Sequence, residues 1–176
     1  PEAEEVAYEG LSASGWARAK RMLRSYDITL EPPVSRISAD DAAFYFRQVL
    51  LEDGFSEADV TYDFQGRTVV FQVSQGSRHM ISQVSIEGAD AISGSVRREI
   101  VESAMRRETL TPFGPIPFFE EAAALASRDL AVALAQAGYL DATVAFDVES
   151  IGDRRHVTFV ANPGLRYVTS EVHVSG

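Results

Sequence analysis

An internal repeat constrains this chain more than any single motif in it. An offset of 84 residues sets Ala58 against Ala142, Val60 against Val144, Tyr62 against Phe146 and Asp63 against Asp147. Further along the offset becomes 88, setting Val69 against Val157, Phe71 against Phe159, Gly76 against Gly164 and Gly88 against Gly176. The change reads as a four-residue insertion in a hairpin turn, where added residues are tolerated best. Repetition in phase over this length means that one structural unit has been copied.

Each copy alternates apolar and polar residues between turn signals, the pattern of half-buried strands. Val144, Phe146 and Val148 share one side of a first run, Ser150 to Arg155 read as a turn around Gly152, and Val157, Phe159 and Ala161 follow in phase. Pro163-Gly164 breaks the pattern, and a third run covers Val168 to Val174. The first two runs read as an antiparallel hairpin.

Upstream of each hairpin the period lengthens. Glu5 to Gly10 reads as a strand, and Ser14 to Tyr26 as a helix with Trp16, Ala19, Leu23 and Tyr26 on one face. The connector Leu30 to Val34 holds paired prolines, which cannot continue a helix. Ser38, with Asp41 three residues on, is the expected start of a second helix whose buried stripe is Ala42, Phe46, Val49 and Leu50, and Gly54 ends it. The second copy gives a strand at His79 to Glu87 and a helix capped by Ser93 or Ser95 with Val96, Ile100, Val101 and Ala104 inward. A loop from Thr111 to Pro117 follows, then a helix opened by Pro117 and ended by Gly138. Its inner face is Ala122, Leu125, Ala126, Leu130, Ala133, Leu134 and Ala137. The expected fold class is therefore α+β: two tandem βααββ units, each a three-stranded mixed sheet covered on one face by two helices. The expected boundaries are 1–77, 78–164 and, for the first strand of a further truncated unit, 165–176. Ending just past that strand, the sequence reads as an excerpt of a longer protein.

Composition closes several functional classes. The net charge of −10 opposes nucleic-acid binding, which rests on phosphate neutralisation, and adhesion to anionic lipid. The chain has no cysteine, which removes disulfides, thiol catalysis and cysteine metal sites. No apolar run approaches the roughly 18 residues of a membrane span.

The Gly-aromatic pairs Gly54-Phe55 and Gly138-Tyr139, each followed by Ala-x-Val-x-aromatic (Ala58, Val60, Tyr62; Ala142, Val144, Phe146), carry a resemblance. With the junctions Val73 to Gly88 and Ala161 to Gly176, the chain resembles the POTRA domains of the Omp85 superfamily, the outer-membrane assembly and translocation proteins of BamA and TamA type. The resemblance is strongest over residues 38–176. Leu11 and Ala89 follow the strand-one glycines where the family often has Asn. The resemblance implies a periplasmic arm preceding an outer-membrane β-barrel, with no enzymatic activity and no cofactor. The implied partners are unfolded outer-membrane or secreted protein clients and periplasmic or lipoprotein accessory subunits, held by β-augmentation.

By the same resemblance the second strand of each unit is the sheet edge. The candidate client-binding residues are Val60, Thr61, Tyr62, Asp63 and Phe64, and Val144, Ala145, Phe146, Asp147 and Val148. Such an edge can equally be covered or solvated, with Asp63 and Asp147 as charges that discourage aggregation. His79, His156 and His173, each placed in a strand, have no second ligand at metal-binding spacing and read as solvent-facing. Asp40-Asp41 and Glu120-Glu121 read as first-turn acids that complement a helix dipole. The basic run Arg18 to Arg24 reads as the solvated face of the first helix. Phe113, Ile116 and Phe118 are expected to pack over a core. No triad order or phosphate loop appears, since Gly10 and Gly15 lack the following Lys and Ser/Thr. A KH-like RNA module would need a GxxG between its helices, which is absent. The alternative within the family is the cell-division scaffold anchored by one membrane helix, which normally carries a single POTRA.

Overall fold

The computed structural model describes residues 2–28, 30–107, 109 and 113–168. The chain divides into two compact units, one ending at His79 with the loop Thr109–Pro117 grouped with it, the other formed by the remainder from Met80.

Unit 1 contains β1 (Glu2–Ala3), β2 (Glu5–Glu9), α1 (Ala13–Ser25), β3 (Val34–Ser35), α2 (Arg36–Glu52), β4 (Asp59–Gln65) and β5 (Thr68–Ser74). The main sheet has the order β2-β5-β4, with β2 parallel and β4 antiparallel to the central β5. β1 and β3 pair with each other as a separate two-stranded sheet, which runs of two residues cannot announce in a sequence. Ser12 caps α1 by accepting from the Gly15 amide at 3.2 Å, and Trp16, Ala19 and Leu23 face the core. The expected start of α2 at Ser38 is corrected. Ser35 is the N-cap, accepting at 3.1 Å from the amide of Ser38, so Ser38 lies inside the first turn. Asp40 and Asp41 consequently sit beyond the first turn, away from the dipole end assigned to them.

Unit 2 contains β6 (Met80–Glu87), α3 (Gly94–Met105), α4 (Glu120–Gln136), β7 (Thr143–Ile151) and β8 (Arg154–Asn162). Its sheet order is β6-β8-β7, again with one parallel and one antiparallel neighbour about the central strand, β8. Ser93 is the cap of α3. Val96 is exposed, contrary to expectation, because five residues before Val101 is about 140° around the helix from it. The buried stripe is Val101, Ala104 and Met105. Pro117 does not open α4. Phe119 is the N-cap, without a side-chain cap bond, and Glu120 and Glu121 occupy the first turn as read from the sequence. The expected third run lies outside the described residues from 169 onward, and residues 163–168 are in no strand.

The Gly-aromatic pair now has a mechanism. Gly54 N–H donates to the Leu51 carbonyl at 2.9 Å and Phe55 N–H to the Leu50 carbonyl at 3.0 Å. Gly138 and Tyr139 donate to Ala135 and Leu134, both at 3.0 Å. Each is a Schellman C-cap, and each aromatic packs against the core cluster that holds the leucine it bonds to, Leu50 or Leu134. Ala58 and Ala142 then donate back to the aromatic residue's carbonyl, turning the chain into the hairpin. The chain leaves both units alike: His79 N–H donates to the Gly54 carbonyl at 2.6 Å and Tyr167 N–H to that of Gly138 at 2.7 Å.

The four-residue insertion is not in a turn. Both hairpins turn on two residues, Gly66-Arg67 and Gly152-Asp153, with positive φ at the glycine of 66° and 63°. The strands differ instead, seven residues each in β4 and β5 and nine each in β7 and β8. Ser150, Ile151, Arg154 and Arg155, expected in the turn, are strand residues.

Gly10 and Gly88 hold equivalent places at the end of the first strand of each unit. A Cβ on Gly10 would lie 2.1 Å from the Val73 carbonyl oxygen, and one on Gly88 2.1 Å from that of Ala161. With φ of 87° and 73°, both positions exclude any side chain.

Candidate functional sheet edges

Alternation places each sequence-identified edge residue. On β4, Val60, Tyr62 and Phe64 turn toward the core, while Thr61 and Asp63 are exposed. On β7, Val144, Phe146 and Val148 are half-buried, while Ala145 and Asp147 are exposed. Register ties them together. Tyr62 lies opposite Phe71, which lies opposite Tyr8, and Phe146 lies opposite Phe159, which lies opposite Ile86.

Among the described residues β4 pairs only with β5, and β7 only with β8. Each therefore presents one side of its backbone, a row of N–H and C=O groups, to no other strand. The sheets have two further edges that the sequence reading did not single out, β2 and β6. β6 slips register between Ile81 and Gln83, and such an irregularity blunts an edge. β2 is five residues long. β4 and β7 are the uninterrupted edges longer than β2, with seven and nine residues in unbroken register.

Side chains from α2 fix β4 in place. Arg47 Nε donates to the Ala58 carbonyl at 3.0 Å, one residue before the strand begins. The Tyr62 hydroxyl donates to Asp40 Oδ1 at 2.5 Å. Burial first, then the Asp40 hydrogen bond, raises the Tyr62 pKa above its ordinary value, so the hydroxyl remains a donor. On β7, Glu149 lies 3.7 Å from His156 Nδ1 on the neighbouring strand.

The remaining sequence candidates are dispersed. His79 precedes β6 rather than lying in it, with its ring 3.5 Å from the Ser56 hydroxyl. His156 is on β8, and His173 lies outside the described residues. Among the described residues no three metal-capable side chains gather. Part of the basic run is engaged within unit 1. Arg18 pairs with Asp53, and Lys20 Nζ stands 3.7 Å over the Tyr8 ring. Burial outweighs the nearby Arg18 and Arg78 charges and raises the pKa of Asp53. Lys20 and Arg24 also line a cavity of about 210 Å³ with Tyr8, Leu23, Ile28, Leu30 and Glu31. That is below the usual range for small-molecule sites. Phe113, expected to pack over a core, is 84% exposed, whereas Ile116 and Phe118 are half-buried.

No family model and no curated protein matches the chain. Among solved structures it is similar to POTRA domains 3–5 of BamA from Haemophilus influenzae, at 16% identity over 94% of this chain and 67% of that one, with a TM-score of 0.48. It is also similar to the N-terminal domain of Omp85 from Thermosynechococcus elongatus, at 13% identity over 94% and 64%, with a TM-score of 0.42. A third is BamA from Haemophilus ducreyi lacking POTRA domains 1–3, at 16% identity over 92% and 29%, with a TM-score of 0.47. The chain thus spans about two thirds of the first two and under a third of the last.

Proposed function

We propose that this chain is the periplasmic POTRA arm of an outer-membrane β-barrel assembly or protein-translocation protein. It does no chemistry. It holds client segments or accessory subunits by adding their strands to β4 or β7. The observation that carries the reading is that, among the described residues, both copies of the βααββ unit leave the same strand, the second in sequence order of the hairpin-bearing sheet, with one side paired to no other strand. Backbone pairing suits clients of varied sequence because it makes little demand on side chains. Unit boundaries near 1–77 and 78–164, and a further unit begun at 165–176, complete the proposal.

Titrating the isotope-labelled chain with a strand peptide from an outer-membrane barrel tests it. Shifts concentrated at Asp59–Gln65 or Thr143–Ile151 are expected. Saturable binding that leaves both stretches unmoved contradicts the reading.

A further inference from the structure

The proposed strand addition has a charge preference that differs between the two units. The helix-free face of the unit 1 sheet is formed by the residues that alternate with the core row. These are Glu5, Ala7 and Glu9 on β2, Thr68, Val70, Gln72 and Ser74 on β5, and Asp59, Thr61, Asp63 and Gln65 on β4. Four of them are carboxylates and none is a cation. Across the β4–β5 ladder Asp59 stands opposite Ser74 and Asp63 opposite Val70, so neither meets an opposite charge on its paired side. The arginines beside this strand, Arg36 and Arg47, come from α2 on the other face, where Arg36 meets the Tyr62 hydroxyl and Arg47 is bound to the Ala58 carbonyl just before the strand. Unit 2 is arranged differently. The acids on the same side of β7, Asp147 and Glu149, stand opposite Thr158 and His156, and the row continues to Arg154 opposite Ile151. Glu149 already has a basic neighbour in His156, 3.7 Å away.

Resting on strand addition at β4, we infer that this edge selects extended segments carrying Lys or Arg at every second position. A strand laid along β4 places alternate side chains beside Asp59, Thr61 and Asp63 on the helix-free face, at the spacing of a directly opposed pair. Opposite charges there are favourable and like charges are not, while the intervening apolar side chains continue the core row of Val60, Tyr62 and Phe64. β7 offers the same backbone with Arg154 in the same row and His156 beside Glu149, so its discrimination is weaker.

The test uses the whole chain and two nine-residue peptides with apolar residues at every second position, one with Lys and one with Glu between them. The Lys peptide is expected to shift the amides of Asp59–Gln65 with about tenfold tighter binding than the Glu peptide, from two opposed pairs replacing two repulsions. Asp59→Asn with Asp63→Asn, both at exposed positions, is expected to bring the two peptides within about twofold at β4 while β7 is unchanged. Equal affinity of the two peptides at Asp59–Gln65 overturns the charge preference and leaves strand addition standing. Failure of both peptides to move β4 or β7 overturns strand addition, and the preference with it.

Discussion

In unit 1 the row across the middle of the sheet is Tyr62, Phe71 and Tyr8, roofed by Trp16 and Phe46, with ring centroids 5.0 Å apart between the last two. In unit 2 the row is Phe146, Phe159 and Ile86, roofed by an alanine-rich α4. The helices themselves superimpose in sequence. At an offset of 84, buried Ala39 and Ala42 of α2 meet buried Ala123 and Ala126 of α4, Leu50 meets Leu134, and Phe46 meets Leu130. The frame is kept at the positions where backbone approaches backbone. The filling is exchanged where one ring can stand for another apolar group. Function, on this account, depends on the frame, because the frame leaves β4 and β7 as edges.

Predictions can break that comparison at its strongest point first. Phe46→Ala removes the ring that joins Trp16 to Phe71 and is expected to cost about 3–5 kcal/mol in unit 1. Leu130→Ala in unit 2 is expected to cost about 2–5 kcal/mol, and denaturant titration compares the two. Negligible loss in both would mean that neither roof carries its core. Gly10→Ala and Gly88→Ala each force a methyl onto a carbonyl at positive φ, at about 3 kcal/mol or more. Trp16 is the chain's one tryptophan and is buried in unit 1, so its emission should report Gly10→Ala and not Gly88→Ala.

Two smaller effects sharpen the same contrast. Shortening the second hairpin by deleting Ser150-Ile151 and Arg154-Arg155 returns it to the seven-residue strands of the first. Three of those four residues are exposed, but Arg154 and Arg155 also pair with Met80 and Ile81 of β6, so the deletion is expected to cost about 1–2 kcal/mol in a denaturant titration. Tyr62→Phe removes the bond to Asp40, a device β7 lacks because Phe146 stands there, and is expected to cost about 1 kcal/mol. The tyrosine's pKa is raised in the folded state. That contribution is therefore present below the unfolded value near 10 and lost as pH rises through the folded one, so the two proteins should converge in stability only in strong alkali.

The strands and helices were legible because burial imposes periods of two and of about 3.6 on apolar residues, and the repeat supplied two independent copies of each. The candidate edges were legible only through the resemblance, because nothing in an alternating run says which strand is central. What stayed hidden was set by geometry rather than pattern. The β1–β3 pair is too short to alternate. The choice of Ser35 over Ser38 as cap depends on where β3 delivers the chain. The two added rungs of the second hairpin are mostly exposed and flank Gly152, with Ile151 their one apolar residue, so they read as turn. The absence of a cross-strand cation beside Asp59 and Asp63 exists only once the register is known.

Amide hydrogen exchange, resolved residue by residue in the free chain, addresses the openness of the two edges most directly. The account predicts continuous protection along β5 and β8, and protection at only alternate amides along β4 and β7, those that bond to the central strand. Unbroken protection along both β4 and β7 would mean that each edge is already covered, and would contradict the account.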